Sequence, residues 1–242
     1  MKNINREYKK AEIEYLNKLP PEEKKWVESK PFGFWPHKSH ELFRRFANLI
    51  QILDLPTGAK ILDLGMGSGW TSVFLAKFGY KVIGVDTSPS MVDLAYKKAK
   101  EEKLSMQFRV GDFECPYLFK KEEFDAVLFF DALHHSLDPQ KSLDNCYLWL
   151  KKSGKILISE PNLMHSLRKK TKETAFKNGL RERGFSPLTL KRMLRKSGFK
   201  NVSLYYPSPK SYGSSFKDLL KHIFQPLIQR VITKYFEEAF RK

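Results

Sequence analysis

Ile61-Leu62-Asp63-Leu64-Gly65-Met66-Gly67-Ser68-Gly69-Trp70 runs from an apolar segment into three alternating glycines. Lys60–Leu64 reads as a strand buried on both faces, because it is apolar nearly throughout. The glycines then let the chain turn tightly and bring backbone amides close to a ligand. A helix follows from about Trp70 to Phe78, stopped at Gly79. A dinucleotide fingerprint would place its third glycine where Trp70 stands. Here the third glycine is Gly69, one residue earlier, which argues against a nicotinamide or flavin cofactor.

The same grammar extends in both directions. Lys81–Val85, Met106–Val110, Phe124–Phe130 and Lys155–Ser159 read as further buried strands. Ser88-Pro89, Asp138-Pro139 and Ser186-Pro187 each place a capping side chain before a proline at the first helical position. Gly154 and Gly198 are expected to close the second and third of these helices. Strands alternating with helices imply right-handed crossovers and an α/β fold, a doubly wound, mostly parallel Rossmann-like sheet. Its ligand is expected at the carboxyl ends of the strands.

Acids stand at those ends. The second strand runs into Asp86, twenty-one residues after Gly65, where a carboxylate can accept both hydroxyls of a ribose. The third ends Gly111-Asp112-Phe113, an acceptor for an adenine amino group beside a ring to pack on it. The fourth ends Asp131-Ala132-Leu133-His134-His135.

In this order and at these spacings the residues resemble the class I S-adenosylmethionine (SAM)-dependent methyltransferases, in particular the small-molecule group of ubiquinone and menaquinone type. The resemblance covers about residues 58–205. It rests on the glycine loop, Asp86, Gly111-Asp112, the Asp131-to-His135 segment and the Leu150-to-Lys155 turn into a strand. It implies that Gly65, Gly67 and Gly69 border the methionine moiety of SAM, with Asp63 beneath. Asp86 would hold the ribose, Asp112 and Phe113 the adenine, and Asp131 the methionine amino end. Met66 departs from the Cys or Thr often found there, which should change packing only. The product cofactor would be S-adenosylhomocysteine.

Methyl transfer from a sulfonium is an in-line displacement, so alignment supplies much of the acceleration. A hydroxyl acceptor also benefits from a base with a pKa near 7. His134 and His135 follow the strand that ends beside the methyl group, and one of them is the candidate base, the alternative being that both only line the pocket. No Asn or Asp precedes Pro-Pro-aromatic after the fourth strand, which disfavours adenine or glutamine N-methylation. No cysteine stands directly after the fourth or fifth strand, which disfavours C5 methylation of cytosine. No metal is expected, since adjacent histidines should point apart and no third ligand stands at a recognisable spacing.

The flanks should set specificity. Residues 1–58 read as a helical cap, with helices over Arg6–Leu19 and His40–Leu53. Trp26, Phe32, Phe34, Trp35 and His37 either lid the pocket or pack the cap onto the sheet; Trp35 and His37 are taken as substrate-side residues. The core is residues 59–206. Within it an insert, residues 161–185, carries Arg168-Lys169-Lys170, Lys172, Arg181 and Arg183. Guanidinium forks at Arg181 and Arg183 suit phosphate or carboxylate on the acceptor.

The net charge is +17, from 44 Lys+Arg against 27 Asp+Glu. Residues 161–242 hold 19 of the bases and 5 of the acids, a balance of +14, so the excess is local and points to an anionic partner. Residues 207–242 read as a basic helical tail. From Leu219 to Phe236 apolar pairs recur every four residues, giving one oily stripe. That stripe suits the sheet edge, a protein contact or a membrane interface. The antiparallel hairpin arm that usually ends this fold is not discernible.

Across the 242 residues, two cysteines exclude a disulfide scaffold. No stretch approaches the roughly 20 apolar residues of a membrane span, and the first residues lack a signal-peptide core. A cytoplasmic location follows as an expectation, with peripheral contact at the inner membrane surface, through residues 219–236, if the stripe serves a membrane interface. The reading is SAM-dependent O-methylation of a small or lipid-linked, anionic acceptor, such as a saccharide or quinone precursor. Two rivals are a tRNA or RNA methyltransferase, whose basic tail would track phosphates, and a non-catalytic SAM-binding partner subunit. The oligomeric state is not legible.

Overall fold

A computed structural model describes residues 2–33, 36–205 and 235–241. Three helices lead the chain: α1 (Lys2–Lys18), α2 (Pro21–Ser29) and α3 (Pro36–Leu53). Strands β1 (Lys60–Leu64), β2 (Lys81–Asp86), β3 (Gln107–Val110), β4 (Phe124–Phe130) and β5 (Leu150–Pro161) follow. Between them lie α4 (Trp70–Lys77), α5 (Pro89–Glu101) and α6 (Pro139–Trp149). Then come α7 (Lys169–Asn178), α8 (Pro187–Ser197), β6 (Asn201–Tyr205) and β7 (Tyr235–Arg241). The sheet order is β3-β2-β1-β4-β5-β7-β6. β1 to β5 pair in parallel, and β7 runs antiparallel to both β5 and β6. The order reverses between β1 and β4, so a crevice opens at their carboxyl ends.

Side-chain alternation builds a core on each face. Leu62, Leu64, Val127, Phe129, Ile156 and Ile158 join Leu143, Trp149, Leu190 and Leu194 from α6 and α8. Ile61, Ala126, Leu128, Phe130 and Leu157 point the other way, onto Phe46, Leu49 and Leu53 of α3 and Leu75 of α4. Asp63 shares that second face, which puts a carboxylate against the start of α4.

Several local expectations are corrected. Asp138 and Ser186 do cap their helices, accepting from Lys141 N and Thr189 N at 3.1 Å each. Ser88 makes no such bond. Its hydroxyl donates to Ile13 O at 2.8 Å instead, tying α5 to α1. Gly154 caps nothing: α6 ends at Trp149, and Gly154 lies inside β5. A Cβ there would lie 2.8 Å from Leu150 Cδ2 and 2.9 Å from Lys151 O, so glycine answers a close approach rather than a left-handed turn. The second hairpin arm exists as β7. Tyr235 and Phe236 continue the helical stripe in sequence, yet the open edge of β5 offers its backbone groups as partners, and that pairing prevails over periodicity. Of the expected helical tail, residues 207–242, positions 207–234 lie outside the described residues. Among the described residues no helix is long and apolar enough to cross a membrane.

Candidate functional site

The glycine loop follows β1 with three residues at positive φ: Gly65 at 66°, Gly67 at 55° and Gly69 at 75°. A Cβ on Gly65 would lie 2.4 Å from Ala132 Cβ, and one on Gly69 2.5 Å from Ala95 Cβ. At Gly67 a Cβ would meet nothing within 4 Å, so bare backbone faces open space there. Asp63 lies under this loop. Its Oδ2 accepts from Thr71 Oγ1 and Ser72 Oγ at 2.6 Å each. Burial pushes its carboxyl up to about 6. Asp63 Oδ1 and Ser68 Oγ are buried without a hydrogen-bond partner among the described residues.

Asp86 closes β2 and accepts from Gly67 N and Ser88 N, both at 2.9 Å. Burial nevertheless raises its carboxyl above the ordinary value. Asp112, after β3, accepts from Glu114 N at 2.9 Å and pairs with Lys9 of α1. Phe113 is buried beside it, edge-on to Phe129 at 5.3 Å between centroids.

Asp131 sits at φ 54°, a left-handed conformation that Asp tolerates better than most residues. Both its oxygens accept from Arg45 of α3, at 2.7 and 2.8 Å. The same guanidinium donates to Ser159 Oγ and Ser159 O and lies over the Phe130 ring at 4.4 Å. Burial would raise the Asp131 carboxyl, but the Arg45 charge and its hydrogen bond bring it below the usual range.

The two histidines part ways. His134 is buried, and its Nδ1 donates to Glu160 Oε2 at 2.6 Å. Its Nε2 lies 3.4 Å from Glu182 Oε2, which also accepts from His165 Nε2 at 2.9 Å. Burial would lower this imidazole, but the two carboxylates outweigh it and lift it to about 10. His134 is therefore an imidazolium at neutral pH. Glu160 also accepts from the backbone N–H groups of Ala132, Leu133 and His134, at 2.8, 2.7 and 3.4 Å. His135 instead lines the crevice, its side chain 28% exposed. Its Nδ1 donates to Glu12 Oε1 of α1 at 3.0 Å. Burial pulls its pKa down and Glu12 pulls it up; the carboxylate prevails and the ring ends above its ordinary value.

The rings do not point apart as expected from sequence: their centroids are 4.0 Å apart. One donor atom each from His134, His135 and Glu182 fall within 4.8 Å of one another. Here those groups are drawn together as alternating acids and imidazoles, each imidazole Nδ1 engaged by a carboxylate.

These groups surround a cavity of about 410 Å³, within the rough 300–1,000 Å³ range of small-molecule sites. α1, α2 and the residue that follows α2 roof it, with Tyr8, Lys9, Glu12, Tyr15, Trp26 and Lys30. Burial lowers the Lys30 ammonium to about 8, and its Nζ lies 4.3 Å over the Trp26 ring. The structure brings Gly65, Gly67, Asp86, Asp112, Phe113, Asp131 and His135 onto this cavity; Asp63, Gly69 and His134 stand behind it. Arg181 and Arg183 do not line it. Both donate to the carbonyl of Leu137 at its rim, at 3.3 and 3.4 Å. Trp35 lies outside the described residues, and of His37 only its place in α3 is described.

Sequence reasoning missed Arg45, Glu160, Glu12, Lys9 and Lys30. Arg45 had a signal: it falls on the apolar stripe of α3 with Leu42, Phe46 and Leu49, where a charge needs a buried partner. Glu160, an acid closing a buried strand, had the same one. The α1 residues carried none, because which helix roofs the site depends on tertiary packing.

The sheet order, the glycine cradle and the acids at successive strand ends define a class I methyltransferase fold. Within it, residues 62–158 match the methyltransferase-domain family. The chain is 37% identical over 106 residues to the ubiquinone biosynthesis O-methyltransferase of Coxiella burnetii, covering 43% of this chain and 44% of that protein. It is 32% identical over 161 residues to phosphoethanolamine N-methyltransferase 3 of Arabidopsis thaliana, covering 63% of this chain and 31% of that one. It thus spans less than half the length of these curated relatives. Among solved structures, phosphoethanolamine N-methyltransferase 2 of Haemonchus contortus in complex with S-adenosyl-L-methionine superposes with a TM-score of 0.66. The identity there is 22%, over 90% of this chain and 55% of that one, a likeness of fold.

Proposed function

We propose that the protein transfers a methyl group from SAM to an oxygen of a small or lipid-linked acceptor, leaving S-adenosylhomocysteine. One observation carries this reading: His135, oriented by Glu12, faces the same cavity as the Gly67 backbone, Asp86 and Asp112. The residues fit the cofactor. Gly67 presents bare backbone, Ser68 Oγ is an unpartnered donor, and each Asp86 oxygen keeps a lone pair beyond its one backbone bond for a ribose hydroxyl. Asp112 can take the adenine amino group once Lys9 yields. Asp131 carries the charge for the methionine amino end, and Lys30, which lines the cavity, supplies positive charge for its carboxylate.

When bound, SAM supplies a methyl group already activated on a sulfonium. The chain's part is to align the acceptor and remove its proton. His135 suits this because Nδ1 is held by Glu12, which leaves Nε2 to receive the proton. His134 does not, because its proton is locked between Glu160 and Glu182. Arg181 and Arg183 at the rim, with Lys30 inside, suit an anionic acceptor.

The roof formed by α1 and α2 favours a small acceptor over RNA, since a nucleotide within a polymer would have to pass beneath α1. A second reading is N-methylation of a small phosphorylated amine, the activity in the names of two relatives. In its favour, the Trp26 ring already carries cations, with Lys30 at 4.3 Å and Lys38 at 4.8 Å. Methyl-labelled SAM offered with a catechol-type acceptor and with phosphoethanolamine tests both. Label on the catechol oxygen supports the first reading, label on phosphoethanolamine supports the second, and failure of SAM to bind in a calorimetric titration overturns either.

A further inference from the structure

The segment that follows β5 carries an anomaly unrelated to the cofactor. Among the described side chains of α7 the exposed ones are Lys169, Lys172, Glu173, Phe176 and Lys177, spaced as one helical stripe. Phe176 stands in the middle of that charged stripe and is 92% exposed. The turn before α7 adds Leu163, Met164 and Leu167, exposed at 53, 46 and 56%. It is compact, with Leu167 N donating to Met164 O and Arg168 N to His165 O. Residues 163–177 hold five Lys and Arg against one acid, a balance of +4. A single exposed apolar side chain needs no explanation, but several large ones set among cations on one short segment do.

We infer that this face, Leu163 to Lys177, is a docking surface for an anionic lipid bilayer. The apolar tips can enter the headgroup boundary while the flanking Lys and Arg stems keep their charges at phosphate level. A second copy of this chain is a poorer partner. A two-fold contact would oppose two faces of like charge, and four apolar side chains fall short of the roughly 800 Å² per partner that a stable dimer buries.

The position of the face gives it meaning for the site. His165, within the exposed turn, bonds Glu182, which faces His134 behind the cavity wall. At the end of α7, a Cβ on Gly179 would lie 3.5 Å from Ala11 Cβ of α1, the helix that roofs the cavity. α7 therefore packs beside the helix that roofs the cavity, and a bilayer seated on its exposed stripe would be a neighbour of that roof. This places the protein where a lipid-linked acceptor would be presented, although lipid binding itself does not depend on methyl transfer.

Flotation of the full chain with vesicles tests the inference. Vesicles of phosphatidylglycerol and phosphatidylethanolamine are compared with pure phosphatidylcholine. Wild-type protein is expected to float with the anionic vesicles and remain behind with the neutral ones. Phe176→Ser with Leu167→Ser, and separately Lys169→Glu with Lys172→Glu, are each expected to cut partitioning about tenfold. Both pairs lie on the exposed surface, so unchanged melting and SAM binding should accompany the loss. Absence of wild-type flotation would overturn the inference. So would equal flotation of wild type and both variants, which would move the contact to another part of the chain. Loss of self-association in the variants, without any vesicle binding by wild type, would assign the face to a second copy instead.

Discussion

At His134 both ring nitrogens pair with carboxylates, whereas His135 pairs with Glu12 through Nδ1 and lines the cavity, and the two substitutions should therefore fail differently. His135→Asn is expected to lower turnover at least about 100-fold, the usual scale for loss of a general base, with cofactor affinity kept. His134→Asn should instead cost about 3–5 kcal/mol of stability, because Glu160 and Glu182 lose a buried cation. The His134 pKa rises on folding from 6.5 to about 10. Its stabilisation is thus complete below pH 6.5 and disappears as pH climbs through about 10. Chemical denaturation of wild type and variant across that window should show the stability gap closing. At His135, kcat/KM should rise with pH as the imidazole deprotonates above its ordinary value, and Glu12→Gln should move that limb to lower pH. Glycines separate in the same way. Gly67→Ala should fold, at about 1 kcal/mol of backbone strain, yet bind SAM poorly because its methyl enters the cavity. Gly65→Ala should destabilise the fold itself, since its Cβ would collide with Ala132.

At the scale of elements, α1 acts as roof through three tethers: Lys9 to Asp112, Glu12 to His135, and Ser88 to the Ile13 carbonyl. One of them, Lys9 to Asp112, occupies a group that the cofactor is proposed to use, so cofactor binding must displace it, whereas the Glu12 tether orients His135. Ser88→Ala should accordingly leave α5 intact and speed limited proteolysis within residues 2–18, a result opposite to that of a lost helix cap. This tether shows where sequence reading stops. β1 to β4, α4, α5 and α8 were legible because their signals are local: apolar runs, a proline at the first turn of α5 and α8, Gly79 and Gly198 as stops of α4 and α8. Ser88-Pro89 has the form of a cap, yet a long-range carbonyl claims the hydroxyl. β7 was hidden for the same reason. Its residues continue a helical period, and only the unpaired edge of β5 makes them a strand. Within the site, acids at strand ends could be placed from position alone, whereas Glu12 and Arg45 come from helices whose docking no spacing encodes.

Across the whole molecule, the neutral sheet supplies the cofactor crevice, the N-terminal helices roof it, and the cationic excess lies in the last third of the chain. The proposed function draws on that division: a small anionic or membrane-presented acceptor would be taken beneath α1 and α2. The most direct test is to incubate the protein with methyl-labelled SAM and a total cell extract, beside His135→Asn, and to partition the label. The account predicts label in the solvent-extractable lipid or small-molecule fraction with wild type and its loss with the variant. Label in nuclease-sensitive polymer, or transfer undiminished in His135→Asn, would contradict it.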